Sequence, residues 1–171
     1  MIPKKLTIIE RQILANQFKI LANLEEDSEY YETKAEILEK GFTGEYHEVF
    51  NVHSDEIDYE TCRETSEILN MYRRINNAIA ELTDEEKVEM DLESIAFQGF
   101  DANNNSHYHY MSFMVGKLNK WQEHNGNYLN SHSEIPLMKY KRMLEYQNNV
   151  LSGNKFDLDI NDLNNLIEVA I

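Results

Sequence analysis

From residue 58 to residue 82 the chain carries no glycine and no proline, and its apolar side chains return at helical spacing. Cys62, Leu69, Tyr72, Ile75, Ile79 and Leu82 form one line, with Ile68 and Met71 beside it. That period of about 3.6 residues is what a helix with one buried face requires. Asp58 stands where its carboxylate can accept from the free amides of the first turn. At about 1.5 Å per residue such a helix spans a small domain, so the spacing predicts a central strut. With 6 Gly and 2 Pro in 171 residues, turn residues are too few for a many-stranded sheet protein. The expected fold is mainly α, a multi-helical single domain over residues 1–171.

The remaining elements are placed by their caps and stripes. Thr7-Ile8-Ile9-Glu10 reads as a capping box opening a helix to about Leu24, with Leu6, Ile9, Ile13, Phe18, Leu21 and Leu24 on its buried side. Asn16 and Gln17 lie beside that stripe, where their amides either bind a ligand or hydrogen-bond a neighbouring helix; the second use is the commoner for buried amides. Asp27 or Ser28 caps a second helix with Tyr31, Ala35 and Leu38 inward and Tyr30 and Ile37 on the flank. Gly41 is its left-handed stop. A short helical piece over 43–50 turns Tyr46, Val49 and Phe50 inward, and 51–58 is a polar linker.

Thr83-Asp84-Glu85-Glu86 begins a capped acidic turn, and 88–98 is open between helix and strand. Gly99-Phe100-Asp101 is a turn whose glycine allows angles other residues avoid, with Asp101 as N-cap of the next helix; a cation-attracting pocket at Asp101 is the functional alternative. That helix shows Tyr110, Met114, Leu118 and Trp121 on one face, broadened by Met111 and Val115. A polar loop fills 122–134. Pro136 suits the first turn of a helix reaching Val150. Residues 156–160 alternate as a strand does and predict a short two-stranded β pair with 93–97. Asn161 caps a last helix with Leu163, Leu166, Ile167 and Ala170 inward.

The formal charge of -15 is concentrated. Residues 25–93 hold 22 Asp and Glu against 6 Lys and Arg, while the rest of the chain has 9 acids and 10 bases. This acidic segment is either a solvated surface that favours solubility or a docking face for a basic protein partner. It is ill suited to phosphates, whose binding rests on Lys and Arg. Nucleic acid is therefore disfavoured by charge, although Lys139, Tyr140, Lys141 and Arg142, and Lys117 and Lys120 beside Trp121, mix bases with aromatics as single-strand binders do. One cysteine excludes an intrachain disulfide and suits a reducing cytoplasm. No apolar run approaches the roughly 20 residues of a membrane span.

The sequence carries little recognisable chemistry. His107 and His109 are two apart and diverge on a helix, no Glu-x-x-His or His-Glu-x-x-His spacing occurs, and no phosphate loop, nucleophile elbow or dinucleotide fingerprint is present. No metal, cofactor or catalytic residue is expected. Cys62 could be a thiolate activated by Arg63, but adjacent helical residues point about 100° apart, and free cysteine is usually an inert core residue.

Seven segments in order carry a resemblance: Leu14-Ala15-Asn16-Gln17-Phe18-Lys19, Glu39-Lys40-Gly41-Phe42, Glu60-Thr61-Cys62-Arg63, Met71-Tyr72, Phe97-Gln98-Gly99-Phe100-Asp101-Ala102, Phe113-Met114-Val115 and Lys139-Tyr140-Lys141-Arg142-Met143-Leu144. Together they resemble the bacterial YfbU family from about Leu6 to the C-terminus, with a departure in 122–135 and one residue fewer after Pro136. The resemblance implies a multi-helical cytoplasmic protein that forms homo-oligomers, and it brings no catalytic residue. Positions expected to matter for function or structure are Asn16, Gln17, Cys62, Arg63, Gly99, Asp101 and Trp121. The leading expectation is a non-enzymatic regulatory or interaction module that self-associates. The alternatives are an RNA-associated protein and an enzyme with a carboxylate-rich helical pocket.

Overall fold

A computed structural model describes residues 2–50, 55–103, 106–125, 137–152 and 155–170. The described residues are mainly helical and divide into two compact units, Met1–Glu56 and Ile57–Ile171.

In the first unit, helix α1 (Ile8–Leu24) packs on α2 (Ser28–Lys40). The capping box is present: Glu10 N–H donates to Thr7 Oγ1 at 3.2 Å, and Thr7 N–H to Glu10 Oε2 at 2.7 Å. Asp27 caps α2 through Tyr30 N–H, and Gly41 ends it at φ 71°. The following turn, Thr43–Glu45, leads into α3 (Tyr46–Val49). Ala15, Ile37, Leu38, Tyr46 and Val49 form the unit's core, with Leu6, Leu14, Phe18 and Phe50 packed partly against it. Arg11 reaches the C-terminal end of α2 and donates to Leu38 O at 3.1 Å, placing a cation where the helix dipole is negative.

The expected buried side of α1 needs correction. Ile9, Ile13 and Leu24 are exposed, and the side turned to α2 is that of Leu14, Ala15, Phe18 and Leu21. Both sides of α1 are apolar, so the pattern allowed two orientations, and α2 selected one of them.

In the second unit, α4 (Tyr59–Ala80) is the strut, capped by Asp58 through Thr61 N–H at 2.8 Å. Ile68, Leu69, Met71, Tyr72, Ile75 and Ala78 are its buried face. After the short capped α5 (Asp84–Glu89), helices α6 (Ser106–Gly116), α7 (Leu137–Val150) and α8 (Ile160–Ala170) gather against α4 or each other. Tyr72 and Tyr140 meet edge to face at 5.2 Å in the centre of the core, with Phe97 and Phe100 around them.

The β pair is absent: among the described residues, 93–97 and 156–160 form no strand. Residues 93–96 close a turn, with Ala96 N–H donating to Glu93 O. The alternation at 156–160 is overridden by helix capping, since Asp159 accepts from Asn161 and Asp162 N–H at 2.9 and 3.1 Å and starts α8 at Ile160. Asp159, rather than Asn161, is therefore the cap. Asp159 N–H donates in turn to Asp162 Oδ2, and Lys155 holds both carboxylates. Pro136 and residues 126–136, 153 and 154, which include most of the expected polar loop, lie outside the described residues.

Candidate functional site

Where α6 and α7 meet α4, one flank of α4 lines a cleft of about 250 Å³. Glu60, Glu64 and Glu67 follow at i, i+4 and i+7, so one helix face presents all three. Glu64 is the pivot. Its Oε1 lies 2.7 Å from Nε2 of buried His107 on α6, and its Oε2 lies 3.0 Å from Nζ of Lys141 on α7. His107 in turn stacks on Phe100, ring centres 5.4 Å apart. Burial pushes the Glu64 carboxyl up, but hydrogen bonds and charges from Lys141 and His107 outweigh it and hold the pKa below the usual 4.5. Arg63 leans outward, bridging Glu60 at 2.7 Å and Glu67 at 2.9 Å.

A carboxylate–imidazole pair can orient a ligand or hold a proton. The nearby hydroxyl and thiol are engaged elsewhere: Thr61 Oγ1 donates to Asp58 Oδ2 at 2.9 Å, and half-buried Cys62 faces Ile57 O at 4.0 Å. Arg63 therefore serves its two glutamates rather than the Cys62 thiol. Among the described residues, no three His, Cys, Asp or Glu side chains converge as a metal-binding group.

The other expected positions separate. Gly99, at φ 88°, turns the chain so that its carbonyl accepts from the Tyr140 hydroxyl at 3.0 Å. Asp101 does not cap α6, which begins at Ser106; its carboxylate accepts from Asn103 N–H at 2.8 Å within the preceding turn. Trp121 lies beyond α6 rather than on its stripe. Helix α6 stops at Gly116, Leu118 is half exposed, and Trp121 enters the core from a left-handed backbone at φ 49°. Its Nε1 donates to Asn70 Oδ1 at 3.0 Å, and Arg73 lies 5.9 Å from its ring while binding Glu123 at 2.6 Å. Burial also removes the stacking platform that a single-strand binder needs: Tyr140 and Trp121 are inside, and Lys139 is buried with its ammonium on Ser94 O.

The first unit offers two surfaces. Asn16 and Gln17 are exposed beside the open apolar side of α1, and Asn16 Oδ1 accepts from Gln12 Nε2 at 2.9 Å. A broad groove of about 580 Å³ between α2 and α3 is edged by Asp27, Glu29, Glu45 and Glu48. Its Lys34 is buried, with Nζ 4.3 Å over the Tyr30 ring, a cation–aromatic contact that the acidic pattern did not reveal. The Glu64–His107–Lys141 cluster was equally hidden, because its members come from three helices far apart in sequence. The only signal was Glu64 itself, a carboxylate four and seven residues before Ile68 and Met71 and so at the edge of the apolar line of α4.

The family model described as the YfbU domain matches residues 4–169.

Proposed function

The chain belongs to the YfbU family, and from that premise we propose that it is a non-enzymatic interaction module that self-associates in the cytoplasm and offers its acidic segment to a basic protein partner. One observation carries this reading: Ile9, Ile13, Ile20 and Leu24 keep a continuous row of large apolar side chains along α1 open to solvent. Monomeric soluble proteins rarely leave contiguous apolar patches above a few hundred Å² exposed. The acidic groove of the first unit supports the second half of the proposal, since its four carboxylates outnumber the single Lys34 ammonium beside Tyr30 and Ile37 and leave net negative charge for a lysine- or arginine-bearing segment. Native mass spectrometry of the untagged protein, gently purified from its own cells, tests it. A homo-oligomer carrying a basic protein is the expected spectrum. A bare monomer overturns the proposal, and bound RNA replaces it with the nucleic-acid alternative.

A second reading, a small-ligand or proton-handling site, is favoured by the Glu64–His107–Lys141 cleft alone. Imidazole NMR signals of His107, followed during titration with pooled metabolites, test it. Signals unmoved by every pool would sink that reading.

A further inference from the structure

Helix α1 is apolar on two opposite sides, and its own unit covers one of them. Ala15, Leu14 and Phe18 belong to the core with α2. On the far side Ile9, Ile13, Ile20 and Leu24 are 72%, 53%, 58% and 74% exposed. At about 100° per residue these four fall in one narrow stripe, with Asn16 on one edge and Gln17 on the other. Their order is symmetric about the midpoint between Asn16 and Gln17: Ile9 and Leu24 are equally far from it, and so are Ile13 and Ile20. A stripe that reads alike in both directions is complementary to its own reversed copy.

Building on the self-association reading above, we propose that α1 pairs antiparallel with α1 of a second copy about a two-fold axis passing between Asn16 and Gln17. Ile9 packs against Leu24 of the second copy and Ile13 against its Ile20. Each Asn16 faces the other Asn16 along one edge of the seam, and each Gln17 faces the other Gln17 along the opposite edge. Every primary amide has two N–H donors and an acceptor oxygen, so an amide meeting its own copy forms a complementary pair, and a polar contact in an apolar seam sets the register.

Area and charge both favour a second copy as the occupant. The six side chains present on the order of 600 Å² per copy, so pairing buries at most roughly 1,200 Å², the lower bound of a specific interface. Each copy carries -15 overall, yet residues 1–24 hold four Lys and Arg against one Glu. The α1 segment thus lies outside the acidic excess of residues 25–93 and carries the opposite sign to the chain as a whole, which lowers the repulsion between approaching copies.

Analytical ultracentrifugation of the full chain, wild type against the double variant Ile13→Asp, Ile20→Asp, tests the seam. These side chains are exposed, and helical circular dichroism verifies that the variant is folded. The expected result is an assembly whose mass halves in the variant. An unchanged mass overturns the α1 seam while leaving self-association standing, and a monomeric wild type overturns both. Register is read by a short bis-maleimide on chains with Cys62→Ser. Asn16→Cys should link to itself, Leu24→Cys should not, and Leu24→Cys should link to Ile9→Cys when the two are mixed. Self-linking of Leu24→Cys as ready as that of Asn16→Cys overturns the antiparallel arrangement. Efficient coupling of Leu24→Cys to surface lysines of residues 57–171 in the same chain, read by a maleimide–succinimide linker, overturns the second copy as occupant.

Discussion

Tyr140 shows how much one side chain can decide in this protein. Its ring completes the aromatic centre of the second unit, while its hydroxyl donates to Gly99 O and accepts from Gln98 N–H at 3.0 and 3.3 Å. Burial pushes the phenol's pKa up, so it remains a neutral donor. Tyr140→Phe keeps the packing and orphans a buried carbonyl, and urea denaturation is expected to show a loss of about 1–3 kcal/mol. His124 makes a pH prediction. Burial lowers its pKa below 6.5, more than neighbouring Glu123 raises it. The unfolded chain then binds more protons between the lowered value and 6.5, so stability rises with pH across that window and levels off above it. His124→Gln should flatten that slope in denaturation curves taken between about pH 5 and 7. Glu64 acts in a separate, more acidic window, its contribution being lost as pH falls below 4.5. None of this was visible in the residues themselves. A histidine or glutamate is unremarkable in a chain with 31 acids and 6 histidines until burial and neighbours select it.

At the scale of elements, caps were the most legible feature. Thr7 with Glu10, Asp58, Thr83 with Glu86 and Gly41 all stand where local chemistry predicts them, because a cap needs only residues within one turn. Gly41 carries a second constraint: a Cβ added there would lie 2.6 Å from Arg11 Nη1, the guanidinium that serves the end of α2. Gly41→Ala should therefore cost more than the about 1 kcal/mol of the left-handed backbone alone. Amide exchange would show the loss in α1 and α2; full protection there would count against the Arg11 contact. Asp101 and Asn161 failed as caps for a related reason. Both are good turn formers, and whether such a residue starts a helix or closes an Asx turn depends on where the next segment must go. The 156–160 alternation failed likewise, for a strand has no meaning without a partner.

For the whole molecule, charge and apolar surface are sorted into different places. Acidic excess occupies 25–93, and the open apolar row lies on α1. If an apolar seam joins two copies of -15 each, added salt should screen their repulsion and tighten self-association several-fold between about 0.05 and 0.5 M. Association through opposite charges would instead weaken over that range, and sedimentation at the two ionic strengths separates the cases. Composition and periodicity by themselves determined the helical class, the strut from Asp58, most helix starts and the acidic segment, because each depends on neighbours within a few turns. Only the tertiary structure decided which side of two-faced α1 is covered, that Trp121 enters the core from beyond its helix, and that Glu64, His107 and Lys141 meet. These outcomes depend on contacts between residues far apart in the chain, and local spacing carries no information about which distant surface will arrive.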